Sequence, residues 1–181
     1  MDAKLDAAWR LPVAAIYRGT RLEWQKPRAL CGPTSIANAL RSFGVAIDRD
    51  TLLAGTGLTT IFGYRLAGMT LDQLADVVRK RSARRATVLR DLDVAELRAH
   101  LARSNDPSRR YIANFHRGAA GGRGGGHHSP IGGYLVDADL ALVLDVNRRV
   151  GPWLVSAERL HAGIDAVDPS TGRRRGLLLI E

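Results

Sequence analysis

Cys31 is the single cysteine of the chain, in Leu30-Cys31-Gly32-Pro33-Thr34-Ser35, directly before a segment with helical periodicity. Pro33 suits the first turn of that helix. A thiol at a helix N-terminus meets unpaired N–H groups and the positive end of the dipole, which favour the nucleophilic thiolate. A free cysteine is more commonly a small buried hydrophobe, so position alone argues only weakly for chemistry. A thiolate nucleophile needs a base, and the base needs a group to orient it. The histidines are His100, His116, His127, His128 and His161. His100 lies inside a helical pattern and His161 in a polar stretch, and both read as surface residues. His127 and His128 follow a glycine run and begin a strand-like segment.

Asp145 ends the apolar run Ala141-Leu142-Val143-Leu144. A carboxylate there is costly without a partner. If the segments on either side of Asp137-Ala138-Asp139 form a hairpin, Asp145 returns beside His127. Cys, then His, then an acid is the chain order of papain-like enzymes, and the expectation is a triad of Cys31, His127 and Asp145. Gln25, six residues before Cys31, can supply an oxyanion-hole amide beside the nucleophile's own N–H. Spacing by itself does not separate that role from an exposed loop residue. A metal site of His116, His127 and His128 is disfavoured, because adjacent strand residues point to opposite faces. The run Gly118–Gly126 is not followed by Gly-Lys-Ser/Thr, as a phosphate loop requires. It reads as a mobile loop.

The elements that must position these residues follow from periodicity. Pro33–Phe43 reads as a helix, with Ile36, Ala39, Leu40 and Phe43 on one face and Gly44 ending it. Thr51–Ala54 reads as a short helix. Thr70–Lys80 has a capping box, Thr70 with Gln73, and a stripe of Leu71, Leu74, Val77 and Val78. Asp93–Arg103 repeats the device with Asp93 and Glu96. Strands are expected at Arg110–Phe115, Gly133–Val136, Ala141–Val146 and Gly176–Ile180. Helices first and antiparallel strands after make an α+β chain. A single domain is expected, with a helical part over about 1–105 and a sheet part over about 106–181.

The chain has 181 residues, 27 basic and 18 acidic, a net charge of +9 and a pI near 10.7. All basic residues but Lys4, Lys26 and Lys80 are arginine. The arginine, alanine and glycine richness fits a GC-rich coding bias. The clusters Arg79-Lys80-Arg81 and Arg173-Arg174-Arg175 carry no interleaved aromatics, and no nucleic-acid-binding motif is present. A nucleic-acid partner is therefore not expected, while an anionic small substrate is compatible with the charge. One cysteine excludes an intramolecular disulfide and a Cys-rich metal site. No apolar run approaches the roughly 20 residues of a membrane span. No secretory signal is visible. A free catalytic thiol suits a reducing cytoplasm, or the periplasm if a leader has been removed.

These residues resemble a known family. Gly126-His127-His128-Ser129-Pro130-Ile131-Gly132-Gly133-Tyr134, with Leu142-Val143-Leu144-Asp145-Val146 after it, is similar to the signature of phytochelatin synthases. The signature has an aromatic residue where His128 stands, so the resemblance assigns the catalytic place to His127. Gln25 and Cys31-Gly32 resemble the family's nucleophile region, and Asn114-Phe115-His116-Arg117 resembles its segment ten residues before the histidine. Asp168-Pro-Ser-Thr-Gly-Arg-Arg-Arg175-Gly176 resembles the end of its catalytic domain. The resemblance runs from about Leu11 to Ile180.

The resemblance implies a papain-like cysteine peptidase fold, with the nucleophile at a helix N-terminus packed on a C-terminal antiparallel sheet. It also implies cleavage of the Cys–Gly bond of glutathione through a γ-glutamylcysteinyl thioester on Cys31. Asp168 and Arg175 would hold the γ-glutamyl end. Water as acceptor gives hydrolysis, expected to be the main reaction. A second glutathione gives transpeptidation to phytochelatin. No resident cofactor is implied, and heavy-metal ions would act through metal–glutathione complexes. The family is often dimeric, which leaves a homodimer open. The alternatives are the same triad acting on another γ-glutamyl or peptide substrate, and a non-enzymatic basic binding module.

Overall fold

A computed structural model describes residues 3–25, 30–54 and 68–181. The first residues form two short helices, α1 (Ala3–Ala8) and α2 (Pro12–Gly19), which the sequence reading leaves unplaced. Helix α3 (Cys31–Ser42) starts on the cysteine itself, two residues before the expected Pro33. Helix α4 (Arg49–Leu53) is capped by the Asp48 side chain. Helix α5 (Leu71–Arg81) carries the Thr70–Gln73 capping box, and α6 (Val94–Arg103) the Asp93–Glu96 box. Both satisfy N–H groups that a helix start leaves unpaired.

Between α5 and α6 lies strand β1 (Ala86–Leu89). The other strands of the main sheet are β2 (Arg110–His116), β3 (Gly126–Leu135), β4 (Leu140–Leu144), β5 (Pro152–Ser156) and, at the end of the chain, β8 (Gly176–Ile180). Helix α7 (Ala157–Asp165) follows β5, and a small ribbon of β6 (Val167–Asp168) and β7 (Arg173–Arg174) leads into β8. The sheet order is β1-β8-β2-β3-β4-β5, and every neighbouring pair is antiparallel. The expected β3–β4 hairpin forms, with Asp139 in the left-handed region at its turn.

The sheet is covered on both faces, because strand side chains alternate. Tyr111, Ala113 and Phe115 of β2 join Leu97 and Leu101 of α6 and Leu160 and Ile164 of α7 in one core. Ile112, from the opposite face, joins Ile36 and Leu40 of α3 and Leu74 and Val78 of α5 in a second. Helices α1 and α2 pack on Leu142 and Leu144. The two faces meet different helix sets, so α3 is held against β3 while the strand order brings the ends of β2, β3 and β4 together. Arg110 ties α3 to β2. Its buried guanidinium donates to the Ser42 hydroxyl at 2.6 Å and the Ser42 carbonyl at 3.0 Å, and lies 4.3 Å from the Phe43 ring centre.

Candidate active site

Cys31 is 6% exposed, at the first position of α3. The helix start is fixed on three sides. Gly32 lies against Leu74 of α5, where an added Cβ would come within 2.8 Å of Cδ2. The Ser35 hydroxyl contacts the carbonyl of Cys31 at 2.8 Å and that of His128 at 3.1 Å, tying the helix to β3. On the chain before the helix, Asn38 exchanges two hydrogen bonds with the main chain of Glu23, at 2.8 and 3.0 Å. Two residues later the Gln25 N–H donates to the Val146 carbonyl at 2.9 Å, next to Asp145. The Gln25 side-chain carbonyl oxygen is buried without a hydrogen-bond partner among the described residues.

The hairpin brings Asp145 back to His127. His127 Nε2 lies 3.0 Å from Asp145 Oδ1, and both residues are buried. The His127 ring stands edge-on to Phe115, centroids 5.7 Å apart. With Nε2 committed to the carboxylate, the other ring nitrogen is the one left for the thiol. Burial pushes the Cys31 thiol up, but hydrogen bonds from His127 and His128 and their charges outweigh it and hold the thiol well below its usual range. Burial works against the charged form of His127 as well, yet Asp145 and the Cys31 sulfur raise it above an ordinary histidine. The two shifts are mutual, each group favouring the charged form of the other.

Asp145 has two further partners. The Arg117 guanidinium Nη2 lies 2.8 Å from Oδ1 and 2.6 Å from Oδ2, and the Asn147 N–H donates to Oδ1 at 2.8 Å. Burial raises this carboxyl, and His127, Asn147 and Arg117 together bring it below the usual carboxylate range. The sequence pattern does not foretell the contact of Arg117 with Asp145. The signal was the buried carboxylate itself, which needs more than one neutralising neighbour. Gly118–Gly126 joins β2 to β3 and wraps the main chain of Arg117, whose N–H meets Gly125 O at 3.0 Å and whose carbonyl accepts from Gly122 at 2.8 Å.

The expectation that His127 and His128 part company needs correction. Their surroundings do alternate, His127 facing Phe115 and His128 facing α3. Cys31, however, sits where β3 begins, and His128 Nδ1 lies 3.6 Å from its sulfur. His128 is 4% exposed, and its Nε2 is buried without a partner among the described residues. His100 and His161 are half-buried instead of lying free on the surface. His100 Nδ1 pairs with the Tyr111 hydroxyl at 3.2 Å, and His161 Nε2 with the Leu92 carbonyl at 2.8 Å.

Asp168 and Arg175 are brought together beside the same strand. Arg175 is 5% exposed, and its Nη1 donates to Asn114 Oδ1 at 2.9 Å and reaches Asp168 Oδ2 at 3.4 Å. Its Nε is buried without a hydrogen-bond partner among the described residues. Asn114 pairs across the sheet with His128. Gly126 leaves the space Arg175 occupies, since a Cβ there would lie 2.4 Å from Nη1. Burial raises the Asp168 carboxyl, and Ser170, Arg175 and His128 bring it below the usual range.

The arrangement resembles solved structures of cysteine peptidases in overall fold. The peptidase domain of Streptococcus ComA, a bi-functional ABC transporter of a quorum-sensing pathway, superposes with a TM-score of 0.57 at 16% identity, over 88% of this chain and 95% of that domain. A C39-like peptidase from Bacillus anthracis gives 0.61 at 14% identity, over 89% and 94%. The fold is thus that of the papain-like cysteine peptidases. In sequence, glutathione gamma-glutamylcysteinyltransferase 1 of Arabidopsis thaliana is 47% identical over 70 residues, 38% of this chain and 14% of that protein. The Schizosaccharomyces pombe enzyme of the same name is 27% identical over 117 residues, 63% of this chain and 28% of that protein. The matches therefore cover well under half of these longer relatives. The family model described as phytochelatin synthase matches residues 16–177, and on that near-complete match the chain belongs to the phytochelatin synthase family.

Proposed function

We propose that this chain is a glutathione-directed cysteine peptidase, forming a γ-glutamylcysteinyl thioester on Cys31. What supports the proposal is a buried thiol at a helix N-terminus, with a buried imidazole–carboxylate pair and an Arg–Asp pair beside it, in a chain of this family. The Cys31 thiolate attacks the carbonyl carbon of the substrate's Cys–Gly bond. The Cys31 N–H and the Gln25 amide stabilise the tetrahedral oxyanion. The His127 imidazolium gives its proton to the departing glycine amine. Neutral His127 then takes a proton from water, the resulting hydroxide attacks the thioester, and collapse expels the Cys31 thiolate with γ-Glu-Cys. Asp145, clamped by Arg117, holds the tautomer and ring orientation of His127.

Arg175 binds the α-carboxylate of the γ-glutamyl end, which its planar fork suits, and Asp168 binds the α-ammonium. Hydrolysis is the main reaction, and a second glutathione amine in place of water gives transpeptidation. No resident metal or cofactor takes part. Heavy-metal ions enter as metal–glutathione thiolates, that is, as substrate. Neither a nucleic acid nor a membrane is a partner in this reading, and the chain works in a reducing compartment.

A second reading keeps the triad but takes a peptide or another γ-glutamyl thiol, and the likeness to peptidase domains favours it. One assay separates the two. The protein is incubated with glutathione, with and without cadmium, beside Cys31→Ala, and glycine, γ-Glu-Cys and longer oligomers are measured. Glycine release that requires Cys31 supports the first reading. Silence on glutathione from a protein whose Cys31 is still rapidly alkylated favours the second.

A further inference from the structure

The nucleophile has two imidazole neighbours, and the triad uses one. His127 is tied to Asp145 through Nε2. His128 comes from the opposite face of the same strand and places Nδ1 3.6 Å from the Cys31 sulfur. The residue is 4% exposed, and its carbonyl is held by the Ser35 hydroxyl at 3.1 Å, from the helix that carries the thiol. Among the described residues the ring has no carboxylate within hydrogen-bond distance, and its second nitrogen is buried without a partner. A buried polar atom left unpaired needs a reason. Here the contact made by the other nitrogen supplies one.

We infer that His128 is a second catalytic imidazole, which shares the Cys31 thiolate with His127 by donating from Nδ1 to the sulfur. The nucleophile is thus stabilised by two donors of different duty. His127 moves protons, because Asp145 and Arg117 support it. His128 moves none and holds the sulfur's charge before attack and again as the thioester collapses. The other charged groups facing His128 are Asp168, which feels its charge, and Arg175, paired with Asp168 on the segment leading into β8. Neither of these lies as a hydrogen-bond partner on the His128 ring, whose contact is with the Cys31 sulfur. The inference rests on the reading of Cys31 as nucleophile, but its test needs no substrate and stands or falls apart from glutathione.

Cys31 is the chain's sole cysteine, so thiol chemistry reports on it alone. The pH dependence of iodoacetamide alkylation is measured for the wild type, His127→Ala, His128→Phe, His128→Gln and the double variant His127→Ala/His128→Phe. Ultraviolet thiolate absorbance is followed in parallel, and folding is checked by circular dichroism. His128→Phe should move the midpoint up by about one pH unit, a tenfold loss of thiolate at acid pH. His127→Ala should still titrate below an ordinary thiol, and only the double variant should reach about 8.5. His128→Gln, an uncharged donor, should fall between wild type and His128→Phe. In the wild-type protein, ring NMR shifts of His128 should follow the thiol titration and change when Cys31 is blocked. The inference is overturned if the His128 variants titrate like wild type, if His127→Ala alone reaches the ordinary thiol value, or if the His128 resonances ignore the state of Cys31.

Discussion

Asp145→Asn keeps the volume of the side chain and removes its charge, and the structure says why that is not a mild change. The carboxylate is fully buried; its Oδ1 meets His127 Nε2 at 3.0 Å and accepts from Arg117 Nη2 and the Asn147 N–H, each at 2.8 Å, and its Oδ2 lies 2.6 Å from the same guanidinium nitrogen as an ion pair. An amide has one accepting oxygen. Whichever way it is turned, its NH2 faces a donor, and the Arg117 guanidinium loses its counter-charge. Breaking a buried ion pair on one side costs about 3–5 kcal/mol. For a chain of this length, 1 kcal/mol corresponds to a melting shift of about 2–4 °C, so the variant should melt roughly 6–20 °C below wild type. His127 loses the acceptor that sets its tautomer, and turnover should fall by about 10²–10⁴-fold. Thermal denaturation by circular dichroism reads the first effect and glycine release from glutathione the second. A variant melting within about 2 °C of wild type, with turnover intact, would refute the argument that this carboxylate is held by charge.

The pH profile of turnover should be a plateau with two limbs. The acid limb is set by Cys31, held below the usual thiol range, and the alkaline limb by His127, held above an ordinary histidine. A profile that only rises through the ordinary thiol range, about 8.5, contradicts the paired state. Stability should carry its own signature. Asp145 is lowered in the folded protein, so its contribution is present above the unfolded value of about 3.9 and is lost as pH falls through the folded one. Denaturant midpoints below pH 4 should therefore converge for wild type and Asp145→Asn, and a constant gap rules this out. Arg175→Ala should raise KM for glutathione far more than it lowers kcat, and steady-state kinetics unlike wild type in kcat alone would move Arg175 out of the pocket. Gly176→Ala should destabilise by about 1–3 kcal/mol in urea titration, since Gly176 has φ +146° and a Cβ would lie 2.1 Å from the Leu89 carbonyl oxygen.

Local signals account for what could be read from the sequence. The Thr70–Gln73 and Asp93–Glu96 boxes announce two helices because capping chemistry is contained within four residues. Asp137–Asp139 announces a hairpin, and with it the return of Asp145 to His127. What escaped was either short or distant. β1 is four residues long and belongs to the sheet only through its pairing with β8, some ninety residues on. β5 begins at Pro152, which weakens a strand pattern. α7 sits directly behind β5 without a connecting turn to mark it. Arg117 is 28 residues from Asp145 and meets it only after the loop and the hairpin have both closed. His128 shows the limit of a rule that works. Alternation correctly separates the surroundings of the two histidines, but it says nothing of a sulfur at the strand's end that both can reach.

The central claim is a thioester between Cys31 and the γ-glutamylcysteinyl group. It is tested most directly by mixing the protein with glutathione, quenching in acid within the first turnovers, and weighing the intact chain. Wild type should gain the mass of one γ-glutamylcysteinyl unit, removed by neutral hydroxylamine but not by a phosphine reductant, and absent from Cys31→Ser. No such adduct on the wild type while glycine is released, or the same adduct on Cys31→Ser, would contradict it.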